Sequence, residues 1–544
     1  MLTLRRYTRP SASDFDDWKT EGWATKDLLP LLRKVSYANK PKISAIGQAY
    51  LEVAQKRGVP LAKDKQDLNT GHGCQRWAKW IDPATGFRQD AAHRYIHPLS
   101  GNKHLHIMTA TKVIRVVFNG TTATGVEVVA DKDTEEGADQ TPRIIKARKL
   151  VVVSAGAVGS PIVLQRSGVG EAERLTKVGI EIVSDLPVGS TYEDHNLVLT
   201  PYHVADDTET IDPIMNKDPA FLEQARADFT HGKGALATNW IDCGSKLRPT
   251  PKELEDIGPA FAPVWKSYFE PNPDKPVMLQ TVIEGWLGPR EMLPYRDART
   301  ILVANYTGYV SWIRLSWNSY VTYLTCSRYP EDMCILRRQI HMPTPTLRLD
   351  SLMNKLTWTF KFGPINKLGK FTQEPASYPL TPFDSEIVRR LPQYRGEFEA
   401  VHPKFPKGSA AGCVKLDGPP DADNVEDIVY TPEDNKAIET YLRQFIETTW
   451  HSVGTVLMKP KEQGGCIDAR LNVYGTQNLK VADLSIIPGN VGSNTNSTAL
   501  VIGEKAAVII AEDLGLKIEI SEESQHGPTH WGNRISSMSP PDTT

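Results

Sequence analysis

Cysteine is scarce. Six among 544 residues (Cys74, Cys243, Cys326, Cys334, Cys413 and Cys466), with no CxxC spacing, exclude a disulfide-stapled secreted scaffold and point to a reducing compartment. An excess of one charge is lacking too. With 63 Lys+Arg against 65 Asp+Glu, the chain has no basic footprint for nucleic acid or an anionic membrane, and neither partner is expected. No apolar run reaches the ~20 residues of a membrane span; the longest, "LVVVSAGAVGSPIVL", is broken by Gly, Ser and Pro. The opening "MLTLRRYTRP" is basic without the apolar core of a signal peptide, and the closing "SPPDTT" is neither an SKL-type peroxisomal ending nor a prenylation box. A cytoplasmic or peroxisomal protein is the expectation. P-loop, nucleophile-elbow and zinc spacings are also missing, so no metal is expected. What remains is a globular chain too long for one core, hence two domains.

The punctuation of the chain places several elements. "KDLLPLLRKV" (Lys26–Val35) has helical spacing. Two β-branched runs in "ATKVIRVVFNGTTATGVEVVA" flank Asn119-Gly120 and predict antiparallel strands, with "RIIKARKLVVVSAG" as a third. "KLVVVSAGAVGSPIVLQRSGVG" predicts a buried strand, a Gly-rich turn and a helix from near Ser160-Pro161. Such a turn serves either close approach to a ligand or tight packing. The nearby "GVGEAE" fails the last glycine of GxGxxG and follows a helix, so it is no dinucleotide fingerprint. Residues 196–430 are rich in Pro and Trp with weak periodicity, as in a separate loop-rich domain. Thr431-Pro432-Glu433-Asp434 predicts a helix start, and that helix delivers the chain to "TTWHSVGT", where His451 is either an acid/base or a helix-end packing residue. "NLKVADLSIIPGN" predicts strand then turn, and "TALVIGEKAAVIIAEDLG" a helix closed by Gly515. Between them "VGSNTN" sets two amides at a helix N-terminus, as caps or as donors to a ligand. "HLH" (His104–His106) has the spacing of one strand face but no third ligand nearby.

Taken in order, "YTRPSASDFDDW", "EGWATKDLLPL", "WAKWIDPATGFRQDAAHRYIH", "GAVGSPIVLQRSGVG", "GSTYEDHNLV", "TTWHSVGT" and "NVYGTQNLKVADLSIIPGNVGSNTNSTALVIGEKAA" resemble the glucose–methanol–choline (GMC) family of flavin oxidoreductases, and within it the fungal alcohol (methanol) oxidase branch. The resemblance covers the first 200 residues and the last hundred or so. It implies a mixed α/β fold: an FAD domain in two parts, residues 1–195 and 448–516, around an inserted antiparallel-sheet substrate domain, 196–447, with a disordered tail at 517–544. It also implies FAD as cofactor, a small primary alcohol as substrate, oxygen as the second substrate with hydrogen peroxide as product, and a homo-oligomer. His451 falls on the family's catalytic histidine and Asn494 on its partner position. Val113, Trp450, Asp483, Asn494 and Thr495 are the implied FAD contacts. Asp194-His195 looks like an acid/base pair, but the resemblance makes it a packing and domain-junction feature.

Those residue types suit the chemistry. Hydride transfer from a primary alcohol requires removal of the hydroxyl proton by a base titrating near neutrality, and unperturbed histidine does so near pKa ~6.5. An Asn amide can donate to the alcohol oxygen without competing for its proton.

Two departures from the family pattern stand out. The expected strand, GxGxxG turn and helix for the FAD pyrophosphate are not in the sequence, a deficit of at least one βαβ unit of ~30 residues. In addition, Val303–Leu347 lacks a clean period of 2 or 3.6 where the family has a recognisable strand and helix. Both read as gene-model errors. The alternative to the enzyme is therefore a truncated, catalytically impaired relative that does not hold FAD.

Overall fold

A computed structural model describes residues 6–34, 43–64, 66–203, 208–259, 261–287, 299–308, 313–314 and 447–516. The helix expected after Thr431, the 315–347 stretch and the 517–544 tail lie outside the described residues. The elements that position the site are, in chain order, α1 (Thr25–Lys34), α2 (Ala45–Lys56), β1 (Gly73–Arg76), β2 (Thr111–Asn119), β3 (Thr122–Ala130), β4 (Arg143–Lys146), β5 (Val151–Val153) and α3 (Gly156–Arg166). They continue with β6 (Asn196–His203), β7 (Cys243–Leu247), β8 (Met278–Ile283), β9 (Thr300–Thr307), β10 (Glu447–Thr448), β11 (Leu479–Val481) and α4 (Asn496–Asp513).

An antiparallel six-stranded sheet runs β10-β6-β9-β8-β7-β1. Its centre is apolar on both faces. Met278, Val282, Ile301 and Val303 pack with Ile46, Tyr50 and Leu51 of α2, whereas Leu279, Ile283, Leu302, Ala304 and Tyr306 face the other way with Trp77 and Trp286. Every residue of β9 is therefore buried, and "TILVANYT" shows no alternation of polar and apolar residues. Val303–Thr307, the start of the stretch without a clean period, is thus the end of a central strand whose burial on both faces removes the alternation.

The second core gathers residues distant in sequence: Trp18, Trp23, Leu28, Leu31 and Leu32 near the start, Val151, Val153 and Leu164 in the middle, and Val481, Ile486, Ile502 and Ile509 near the end. Here β5 pairs parallel with β11, and β2-β3-β4 form a separate antiparallel sheet turning at Gly120. The run expected to be one third strand is thus two, β4 beside β3 and β5 beside β11. α3 begins at Gly156, four residues before the predicted Ser160-Pro161 start. Pro161 inside it offers no N–H to the Ala157 carbonyl, and the Thr455 hydroxyl supplies that bond from outside at 2.6 Å. α4 ends as expected at Gly515, whose φ of +71° suits glycine. No described helix is long and apolar enough to cross a membrane.

Candidate active site

The site lies where "TTWHSVGT", "EDHN" and the turn before α4 converge. His451 follows strand β10, not a helix end. Its segment is shaped by Asp194. That carboxylate accepts the His451 N–H at 3.0 Å and the hydroxyls of Thr449 (3.1 Å), Tyr192 (3.1 Å), Ser452 (3.4 Å) and Thr448. Five donors on one buried side chain hold the loop tightly enough to keep Trp450 at φ +58°, a costly region for a bulky residue, with its indole 66% exposed.

The opposing turn, Pro488 to Thr495, is pinned by two buried carboxyl groups from other parts of the chain. Asp14 accepts the Gly492 N–H at 2.9 Å, and Glu193 accepts the Asn490 N–H at 2.7 Å. Burial raises the pKa of Asp14 against the pull of Lys275. Burial also pushes Glu193 up to about 7, opposed by its Asn490 bond and by Lys459.

Between these clamps the two predicted residues meet. Asn494 Nδ2 is 3.0 Å from His451 Nε2 across 43 positions of sequence. Asn494 does not cap α4. Its Oδ1 accepts from Thr8 Oγ1 at 3.1 Å and from the Tyr306 hydroxyl at 3.0 Å, while Thr495 occupies the cap position. On the other side of His451, Nδ1 is 2.9 Å from Nδ1 of His195, which is buried and packs edge-on with ring centroids 5.1 Å apart. Asp194-His195 therefore does more than pack, and sequence reasoning that set it aside missed two members of the site. Tyr306 and Thr8 were also missed. Tyr306 sits in the strand without a legible period. Thr8 had no signal beyond its motif.

The other predicted residues are more dispersed. Asp483 caps α3: its carboxylate accepts from the Gly156 N–H at 2.9 Å and the Ser160 hydroxyl at 2.5 Å, and also from the Ser485 N–H at 2.7 Å. Val113 is 39% exposed on β2, an outer strand of its sheet. His104 and His106 are exposed, and no group of three or more metal-ligating side chains occurs among the described residues.

The arrangement can take a proton at His451 Nε2 while donating to the same oxygen from Asn494. Matching architecture occurs in a formate oxidase (TM-score 0.66, 16% identity, 94% of this chain and 82% of that one) and in an FAD-dependent oxidoreductase from Chaetomium thermophilum (TM-score 0.65, 18%, 94% and 85%). The fold is that of the FAD-dependent oxidoreductases. GMC oxidoreductase family profiles match residues 4–197 and 409–503. An alcohol oxidase of Candida boidinii is 36% identical over 94% of this chain and 82% of its own length; one from Pichia angusta is 35% identical over the same shares. The chain belongs to the GMC oxidoreductase family, whose members are FAD flavoproteins.

The residues present fit the reactive end of that cofactor. α4, 18 residues long, follows Thr495 with no acidic residue in its first turn and no side-chain cap from Thr495, so its positive end suits a ring that gains electrons. Gly489 opens onto space, whereas the start of α3 at Gly156 is closed to a phosphate by the Asp483 carboxylate that accepts its N–H.

Proposed function

We propose that the chain oxidises a primary alcohol to an aldehyde, with FAD supplying the hydride acceptor. His451 Nε2 takes the hydroxyl proton as the O–H bond breaks, and the Asn494 amide holds the alcohol oxygen where charge develops. The observation that carries this reading is the 3.0 Å juxtaposition of His451 Nε2 and Asn494 Nδ2, with the amide turned away from a capping role. Trp450 and Thr495 flank the pair and would border the isoalloxazine ring; Val113 would meet the adenine end. Asp483 would act through α3, by fixing its first turn. Oxygen would be the second substrate, yielding hydrogen peroxide, as the name of the alcohol oxidase relatives suggests. The division into FAD segments 1–195 and 448–516 around a substrate domain belongs to the same reading, with Gly73–Arg76 lent to the substrate-domain sheet.

Anaerobic mixing of the flavin-loaded protein with short primary alcohols tests the proposal. Bleaching of the oxidised flavin band is expected, and an Asn494→Ala variant should bleach ~10²-fold more slowly. No bleaching with any alcohol, in protein that holds flavin, overturns it.

One observation favours a second reading, a relative that does not retain FAD. Among the described residues β5 and β11 form a two-stranded parallel pair that leaves Val152 40% exposed, whereas parallel sheets are normally covered on both faces. Protein that purifies colourless and takes up no added FAD would favour it.

A further inference from the structure

A run of polar contacts links Thr8, Asn494, His451 and His195, and donor and acceptor roles along it can be assigned from its first member. Thr8 Oγ1 accepts the backbone N–H of Asn494 at 3.1 Å. Its own proton then needs an acceptor, and Asn494 Oδ1 lies 3.1 Å away. The Tyr306 hydroxyl donates to the same oxygen at 3.0 Å. With its oxygen so engaged, the amide turns its NH2 toward His451 Nε2 at 3.0 Å. A donor facing Nε2 requires a lone pair there, so the single proton of the neutral imidazole sits on Nδ1. That N–H meets Nδ1 of His195 at 2.9 Å, which must be the acceptor.

Imidazole in water prefers its proton on Nε2, the arrangement that would disable His451 as a base toward Asn494 and the alcohol. We infer that His195 is a positioning residue that holds His451 in the Nδ1–H form, so that Nε2 keeps the lone pair that Asn494 meets here and that an alcohol hydroxyl would take over on binding. The inference rests on the reading of His451 as the base. When Nε2 takes the alcohol proton, Nδ1–H stays bonded to His195, and the new proton remains on His451. The setting of His195 suits an acceptor that does not itself charge. It is enclosed by His451, Tyr306 and the Asp194 loop, and burial pushes its pKa down to about 4, with the charge of Asp194 and the Val491 carbonyl opposing only in part. A neutral His195 carries one proton, and with Nδ1 as the acceptor toward His451 that proton sits on its buried Nε2, which makes no hydrogen bond among the described residues.

Nitrogen-15 NMR of the full chain labelled at histidine tests this directly, with the His451 signals assigned by their loss in His451→Gln. A pyrrole-type Nδ1 and a pyridine-type Nε2 are expected for His451, with or without flavin. His195→Leu removes the acceptor and should shift the signals toward the Nε2–H form. It should slow alcohol-dependent flavin reduction on the order of 10²-fold, with little change in KM. His195→Asn sets an amide oxygen where Nδ1 was, and should restore both the Nδ1–H signature and most of the rate. A wild-type His451 protonated on Nε2, or an unchanged tautomer in folded His195→Leu, overturns the proposal. If His195→Leu does not fold, the wild-type tautomer and His195→Asn decide. Failure here is distinct from failure of the base assignment, which would appear instead as a His451→Ala variant that still reduces its flavin at the wild-type rate.

Discussion

At the scale of single residues, His451 and Asn494 were legible because their types match a chemistry and their motifs have a fixed order. Their partners were not. His195 looks like any polar residue beside an aspartate until the fold brings a segment from 256 positions away against it. Replacing His451 by Ala should slow alcohol-dependent flavin reduction by ~10²- to 10⁴-fold, measured by stopped-flow absorbance. Glu193 gives a prediction of a different kind. A carboxyl whose pKa rises from 4.5 to about 7 on folding binds its proton more tightly in the folded chain. Its contribution to stability is therefore most favourable below pH 4.5, falls as pH rises from 4.5 to about 7, and is flat above. Glu193→Gln keeps an oxygen for the Asn490 N–H and should flatten that decline in thermal melts and raise stability at pH 8. A decline unchanged by the substitution would contradict the role given to Glu193.

At the scale of elements, period and punctuation located the hairpin at Asn119-Gly120, the helix in Lys26–Val35 and the helix closed by Gly515. They failed where a tertiary contact replaces a local rule. α3 runs through Pro161 because Thr455 satisfies the orphaned Ala157 carbonyl, and no local pattern announces a donor 298 residues away. Thr455→Val, nearly isosteric, should cost ~1–3 kcal/mol by leaving that carbonyl unpaired, as read from denaturant unfolding. The loop at Trp450 invites the converse substitution. Glycine tolerates φ +58° without a steric cost, and the exposed indole loses little burial. Trp450→Gly should therefore leave stability unchanged or raise it by up to ~1 kcal/mol, while lowering flavin affinity if the indole borders the ring. A large loss of stability would show that the indole packs within the fold instead.

At the scale of the whole molecule, the two cores differ in how they are built from the sequence. The core around Trp18, Val153 and Ile502 is assembled from three stretches far apart in the chain, each carrying recognisable motifs. The six-stranded sheet is buried on both faces at its centre, so its central strands carry neither alternation nor motif, and its first strand in the chain comes from Gly73–Arg76. The site sits between them, with His451 and Asn494 from one side and Tyr306 from the other. The chain thus brings the proposed base His451, the Asn494 amide and a helix N-terminus to one place. The most direct measurement of whether they act together is the visible spectrum of the purified full chain before and after anaerobic addition of a primary alcohol. A flavin spectrum that bleaches in the wild-type protein, and persists unbleached in His451→Ala over the same time, is the expected result. Flavin that bleaches equally fast in both would contradict the central assignment.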